Sequence, residues 1–281
     1  MCIRDRDVGS YAILKEVEAG RGSPHGGVYL SFQHCPERAL RESFGPVIDR
    51  LAANGIDLTK MPIEVAPIAH YHMGGIVTDA QMQTDLPGLF AAGEAVGGAN
   101  GANRLSGNAI TEALVFGRRA GRSAADYLKD LSGSADRADN ASKAIALIAA
   151  DAPTRDLNTA EMLQTLQKTM QDNVGALRSQ AKIVVALDVI GHLTEELGNT
   201  PPGDGDRFDM RRIEWFDLRN MLLVARVVAE AALARTETRG AQQREDFPQL
   251  SPDWAFNQIA RLQGTRIELS GGPRAVAVAA S

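Results

Sequence analysis

The sequence predicts a mixed fold, in which an α/β segment is followed by an all-α part. Two short apolar runs, residues 75–78 and 89–92, are bounded by Gly, Pro and Asp as strands are. A glycine-rich loop at residues 97–107 and an apolar helical pattern starting at Ile110 follow the second run. Three further apolar stripes with spacings of three and four lie beyond residue 158, and they predict a helical bundle.

The remaining elements follow from the same periodicities. Before the glycine loop, the patterns predict a helix at residues 7–18, a strand at 28–32 and a helix at 36–54 that Asn54-Gly55 ends. Beyond a Ser-, Asp- and Gly-rich linker, we predict helices over residues 144–150, 159–177, 183–197 and 211–235. The segment after Trp254 carries no pattern that we interpret.

Composition excludes several classes of protein. Of 281 residues, 44% are hydrophobic, which is enough for a buried core, and 23% are charged, which supports a polar surface. The net charge of −5 argues against a nucleic-acid partner. No apolar run reaches the roughly 18 residues that a membrane span needs. Two cysteines, Cys2 and Cys35, make no disulfide framework and fit a reducing compartment.

No metal site is predicted. His25, His34 and Cys35 do not have the spacing of a compact zinc site. His70 and His72 would share one face of an extended strand and could chelate, but no further ligand cluster accompanies them.

The order strand, acidic residue, glycine loop and helix is typical of a nucleotide-type cofactor site. Glu94 lies at the end of the second apolar run, where its carboxylate could accept hydrogen bonds from cofactor hydroxyls. The helix start near residues 106–108 offers free N–H groups and a partial positive charge. The same glycines also suit a tight strand-to-helix turn with small residues for packing. No G-x-G-x-x-G fingerprint and no phosphate P-loop is present.

Three motifs carry a family resemblance. They are HYxMGG at residues 70–75, PGLFAAGE at 87–94 and GANRLxGN at 101–108. In this order and spacing they resemble the C-terminal half of the succinate dehydrogenase/fumarate reductase flavoprotein family, which includes L-aspartate oxidase. The resemblance implies an α/β plus all-α fold, with the C-terminal part of an FAD-binding, glutathione-reductase-like domain followed by a helical bundle. The implied segments are a capping-domain remnant (1–62), an FAD-binding segment (63–129), a linker (130–141), the bundle (142–238) and a tail (239–281).

The resemblance also assigns site residues. They are Arg6 as the catalytic residue, His70 and Arg104 for the substrate, and Gly93, Glu94, Asn108, Ala109 and Ile110 for FAD. The implied substrate is a dicarboxylate, and a planar guanidinium such as that of Arg104 suits one carboxylate. His70 can donate to the second carboxylate. The implied reaction is hydride transfer between flavin N5 and a substrate carbon, as in the interconversion of succinate and fumarate.

Arg6 is assigned by register alone. Arg6-Asp7-Val8, followed by the run EAGRG at residues 18–22, resembles the family segment that carries a catalytic arginine. A single arginine before a helix is equally compatible with a surface charge. The first six residues carry no strand or helix pattern, and the glycine-rich dinucleotide-binding unit of this family is missing. We therefore expect the chain to cover roughly the last half of such a flavoprotein and to be inactive alone.

Departures from the family pattern leave alternatives open. His72 replaces a methionine that is frequent in succinate dehydrogenases, and Gln242 stands where the family pattern has a histidine. L-aspartate oxidase-type chemistry is one alternative, although that branch usually has cysteine at the position of Met73. A non-catalytic helical interaction remnant is the other, and the upstream reading frame would decide it. The resemblance further implies a partner subunit with iron-sulfur clusters. It also implies a cytoplasmic location. Any association with the inner face of the membrane would run through partner subunits.

Overall fold

The computed structural model describes residues 3–130, 138–150, 157–203 and 208–274, and it divides the chain into two compact units, Met1–His70 and Tyr71–Ser281. The helices are α1 (Ile3–Glu18), α2 (Glu37–Ala52), α3 (Asn108–Asp130), α4 (Ala138–Ala149), α5 (Thr159–Asn173), α6 (Gln180–Leu197) and α7 (Met210–Ala234). The strands are β1 (Val28–Leu30), β2 (Ile63–Val65), β3 (Phe256–Gln263) and β4 (Arg266–Arg274). None of the described helices is both long and apolar enough to cross a membrane.

The first unit packs a kinked helix beside a short strand pair. β1 and β2 are antiparallel, with Val28 opposite Val65 and Leu30 opposite Ile63. The helix predicted at residues 36–54 is confirmed as α2, but Phe44 has non-helical angles of φ −137° and ψ 19°. Pro46 explains this kink, because proline lacks the N–H for the helical hydrogen bond and its ring clashes with the preceding turn.

The second unit begins with irregular chain. The prediction of two strands in this region is wrong, because the residues do not form a continuous strand ladder. Residues 75–78 and 89–92 form only isolated bridges, of Ile76 with Val96 and of Gln83 with Phe90. Hydrogen bonds from the Thr84 N–H to the Leu89 carbonyl at 2.9 Å and from the Ala91 N–H to the Met82 carbonyl at 3.0 Å accompany the second bridge. Met82 has a φ of 67°, in the left-handed region that side chains disfavour. A strand needs neighbours along several consecutive residues, and the described residues give each run only one bridge.

Helix α3 confirms the helical pattern predicted from Ile110 onward and begins at Asn108. The next helix, α4, begins inside the segment predicted as a linker, while residues 131–137 of that linker lie outside the described residues. The five segment boundaries stay predictions.

Helices α5, α6 and α7 form the bundle that the apolar stripes predict. Side chains of all three helices share one core, which includes Met162, Leu166, Ile183, Ile190, Leu193, Trp215, Leu218 and Leu222. Trp215 is fully buried, and its indole N–H donates to the Leu197 carbonyl at 3.0 Å. This bond satisfies the indole donor and ties α7 to the end of α6.

A buried arginine closes the end of α7. Nη1 of Arg244 donates to the carbonyls of Ala232, Leu233 and Arg235 at 2.8, 3.0 and 3.0 Å. These carbonyls lack partners within the helix, so a cation here satisfies them and complements the helix dipole. The Asp246 carboxylate accepts two bonds from the same guanidinium at 2.8 Å and a third from the Gln180 backbone at the start of α6.

The segment after Trp254 corrects the view that it carries no pattern. β3 and β4 form an antiparallel hairpin joined by Gly264 and Thr265, with Gln263 opposite Arg266. Gly264 has a φ of 62°, as the first position of a two-residue hairpin turn requires. A two-residue turn that contains glycine, with Leu262 and Ile267 one residue away on either side, is a hairpin signal that was available in the sequence.

Candidate functional site

Gly75 and Gly97 approach each other closely, just beyond the acidic residue Glu94. The Ile76 N–H donates to the Ala95 carbonyl at 2.8 Å, and the Gly97 N–H donates to the Ile76 carbonyl at 3.1 Å. A β-carbon on Gly75 would lie 2.5 Å from the Ala95 oxygen, so no larger residue fits. Residues 75 and 97 are therefore glycines because the two chain segments touch through their backbones.

Glu94 directly precedes these contacts, in the 3-10 helix Gly93–Ala95. Gly93 has a φ of 68° and supports the turn, with α3 behind it at Ala113. One Glu94 oxygen accepts from the His72 backbone N–H at 2.7 Å, which fixes the carboxylate, and the side chain is exposed. An exposed, oriented carboxylate suits the hydroxyls of a cofactor.

The first turn of α3 offers the other half of a cofactor site. It contains no acidic residue, so the positive end of the helix is not neutralised within that turn. Ile110 is 71% exposed and presents an apolar surface, and Ala109 is half-buried beside it. Together with Glu94 these groups fit a flavin, which has hydroxyls, a negative charge when reduced and an apolar ring.

A buried carboxylate that the sequence reasoning missed lies behind this turn. Glu112 is only 4% exposed and accepts from the Tyr71 hydroxyl at 2.7 Å and from the Asn100 amide at 3.1 Å. The Asn108 amide donates to its other oxygen. Asn108 and Glu112 are four residues apart on one helix face, which is a signal that could have found the pair.

The Tyr71 hydroxyl stays protonated in this arrangement. Its hydrogen bond to Glu112, burial and the negative charges of Glu112 and Glu94 together raise the pKa of Tyr71. The hydroxyl therefore remains a donor at neutral pH.

Arg104 stacks on the tyrosine. Its guanidinium carbon lies 4.4 Å from the centroid of the Tyr71 ring, a cation–π distance. Nη1 of Arg104 donates to the Leu105 carbonyl at 3.1 Å. Nε of Arg104 is buried and has no hydrogen-bond partner among the described residues. A buried donor of a cation without an acceptor is costly, and an anionic ligand would relieve that cost.

The loop that carries Arg104 is held from the far end of the chain. The Ala241 N–H donates to the Ala102 carbonyl at 2.9 Å. Nη1 of Arg178, between α5 and α6, donates to the Gln242 amide oxygen at 2.5 Å, so the bundle also holds this segment. Sequence reasoning did not foresee this contact.

The remaining site residues are placed as follows. His70 is exposed and is the last residue of the first unit, whereas Arg104, Glu94 and the start of α3 belong to the second. The backbone of Arg6 lies in α1, and its side chain lies outside the described residues. No group of three or more His, Cys, Asp or Glu side chains suited to a metal ion occurs in the part of the chain that the structure describes.

Two family models match the chain. Residues 2–110 match the model described as FAD binding domain, and residues 163–277 match the one described as fumarate reductase flavoprotein C-term. The first match confirms the prediction of FAD as the cofactor.

Curated relatives agree with both matches. The CoM/CoB fumarate reductase of Methanothermobacter marburgensis has a chain that is 38% identical over 251 residues, which are 89% of this chain and 45% of the relative. The succinate dehydrogenase flavoprotein subunit of Coxiella burnetii is 35% identical over 260 residues, covering 86% of this chain and 44% of the relative. An L-aspartate oxidase of Oryza sativa is 33% identical over 249 residues, 87% of this chain and 38% of the relative.

A solved structure shows the same fold. The Mycobacterium smegmatis Sdh1 complex in the apo form matches with a TM-score of 0.82 and 37% identity, over 98% of this chain and 48% of that chain. The chain belongs to the succinate dehydrogenase/fumarate reductase flavoprotein family, and the predicted fold class is confirmed. The chain spans about half the length of the curated relatives it matches. It covers 45% of the Methanothermobacter marburgensis relative and 44% of the Coxiella burnetii relative.

Proposed function

We propose that this chain supplies the dicarboxylate-binding part of an FAD-dependent oxidoreductase that interconverts succinate and fumarate. The observation that carries the proposal is the state of Arg104, a cation stacked on Tyr71 with a buried Nε that lacks an acceptor among the described residues. A substrate carboxylate would supply that acceptor, and a planar guanidinium binds a carboxylate through two parallel hydrogen bonds.

The cofactor groups are assigned from their exposure and charge. In the proposal, Glu94 holds hydroxyls of FAD, next to the turn that Gly93 permits. The first turn of α3, from Asn108 to Ile110, would hold the flavin ring and would stabilise negative charge on it. When bound, FAD supplies the two-electron chemistry, namely hydride exchange at N5.

Two further residues complete the proposed chemistry. His70 is assigned the donation of a hydrogen bond to the second carboxylate of the substrate. Arg6 moves the proton that accompanies the reaction, and this role needs an environment that loosens the proton on a guanidinium. Both assignments rest on the motif register described above.

The test is steady-state kinetics on the FAD-loaded enzyme that contains this chain, with succinate, fumarate and L-aspartate as substrates. We expect turnover of the first two, with L-aspartate much slower. Turnover of L-aspartate alone would favour the L-aspartate oxidase-type reaction, and no turnover of any would contradict the dicarboxylate assignment.

The partner proposal has a separate test. We propose that electrons pass to an iron-sulfur partner protein and that any membrane association of the protein runs through partner subunits. Affinity purification from cells that express the enzyme at native level should recover a protein with iron and acid-labile sulfide. Recovery of the flavoprotein free of iron under gentle conditions would count against this partner.

A further inference from the structure

The Arg104 side chain depends on Tyr71 for its position. Apart from its stacking on the Tyr71 ring, the guanidinium has a hydrogen bond to the Leu105 carbonyl at 3.1 Å. A long side chain held mainly by one ring keeps a single rotamer only while that ring stays in place. The position of the Tyr71 ring therefore determines where the guanidinium points.

The Tyr71 ring is in turn held through its hydroxyl. The hydroxyl donates to Glu112 at 2.7 Å, and Glu112 is 4% exposed. The amides of Asn100 and Asn108 donate to the same carboxylate, so it is fixed at both oxygens. A buried charge with several donors is an anchor that moves little, because leaving any donor unpaired is costly.

We propose that Glu112 is a positioning residue for the substrate clamp and acts through Tyr71 on Arg104. This inference rests on the proposed function, in which Arg104 binds a substrate carboxylate. Glu112 fixes the ring, and the ring holds the guanidinium in its binding rotamer before the substrate arrives. Binding then requires less ordering of the side chain, which increases affinity.

The tyrosine also separates Glu112 from the substrate. Glu112 next to the guanidinium would compete with the substrate for its hydrogen bonds and would repel the substrate carboxylate. With the Tyr71 ring between them, Glu112 transmits position through an uncharged group. Its own oxygens are occupied by Tyr71, Asn100 and Asn108.

The test is a double-mutant cycle on the FAD-loaded enzyme with Tyr71→Phe, Glu112→Gln and the pair. The probe is malonate, a dicarboxylate without a CH–CH bond to oxidise, titrated by flavin absorbance. We expect Tyr71→Phe to raise the malonate Kd and the substrate KM about three- to tenfold, the range of one hydrogen bond, with kcat changed less. Glu112→Gln should have a similar or smaller effect. The double variant should be no worse than Tyr71→Phe alone, because Tyr71→Phe already removes the hydrogen bond that Glu112→Gln weakens.

Tyr127→Phe is the matched control, because Tyr127 lies in the C-terminal part of α3 and its ring packs against Phe90. This substitution should leave malonate binding unchanged. Additive effects, or a malonate Kd that Tyr71→Phe does not change, would overturn the inference while the proposed function stands. Failure of the parent enzyme to bind malonate or any other dicarboxylate would overturn both. Thermal melting of each variant separates this effect from a general loss of stability, since a merely structural role would lower the melting temperature without the split between KM and kcat.

Discussion

Gly240 lies so close to Ala102 that a β-carbon on it would be 2.5 Å from the Ala102 carbonyl oxygen. The contact joins the turn after the bundle to the loop that carries Arg104. The Gly240 φ of 54° is also one that side chains disfavour.

Gly240→Ala should therefore lower stability and weaken dicarboxylate binding. The left-handed φ alone costs about 1–2 kcal/mol for alanine, and displacement of the loop adds to it. Gly264→Ala is the matched control, because Gly264 has a φ of 62° but nothing within 4 Å of its β-carbon position. Thermal unfolding and malonate titration measure the two effects. Equal losses in the two variants would show that the contact with Ala102 contributes nothing.

Arg104→Lys should reduce catalytic efficiency with succinate and fumarate by roughly ten- to a hundredfold, because lysine keeps the charge but loses the planar fork. The loss corresponds to about 1.5–3 kcal/mol for a charge-assisted hydrogen bond. Steady-state kinetics with flavin absorbance of each variant is the measurement. Arg119→Lys is the control, since Arg119 donates to the Ala80 carbonyl from an exposed position. Loss of flavin in the Arg104→Lys variant would instead show that Arg104 contacts the cofactor and not the substrate.

Glu94→Ala should weaken FAD retention, because cofactor hydroxyls lose their acceptor at about 1–3 kcal/mol. Glu94→Gln keeps an oxygen for the His72 N–H and should lose less flavin. Flavin occupancy after dialysis is the measurement, with Asp85→Asn as a control for removal of one exposed charge, since Asp85 pairs with Arg261. Full occupancy in Glu94→Ala would rule out a direct contact with FAD.

Asp246 should make stability depend on acid pH. The hydrogen bonds from Arg244 lower the pKa of Asp246 from 3.8 to about 2. Because the folded pKa lies below the unfolded one, this stabilisation is present above pH 4 and is lost as the pH falls towards 2. Asp246→Asn should be less stable than the parent at neutral pH, and the difference should shrink across that window. Urea unfolding at several pH values checks this, and a difference that is constant from pH 7 to pH 2 would contradict it.

Periodic patterns in the sequence predicted the helices of the bundle. Features that depend on contacts between residues distant in sequence, such as the burial of Glu112, were missed. The stripe Ile183, Ile190 and Leu197 predicted α6, because one apolar helical face has a fixed period. Glu112 was missed because its importance depends on Tyr71, which is distant in sequence, and a carboxylate in a helix is normally exposed.

The site itself was predicted by motif rather than by geometry. Arg104 and Glu94 were assigned by resemblance, and the structure places them in one unit, with the Arg104 guanidinium on Tyr71 and the Glu94 carboxylate on the His72 N–H. The strands at residues 75–78 and 89–92 failed because strand formation needs neighbouring chain, which local pattern does not report.

The contact between Gly240 and Ala102 also sets an order of events during synthesis. The ribosome releases the loop that carries Arg104 long before it releases Gly240, and domains fold as their residues emerge. The contacts of Ala102 with Gly240 and Ala241 therefore form only after residues 240 and 241 have been synthesised. A nascent chain stalled before residue 240 would contain every cofactor residue assigned here and still lack a finished clamp.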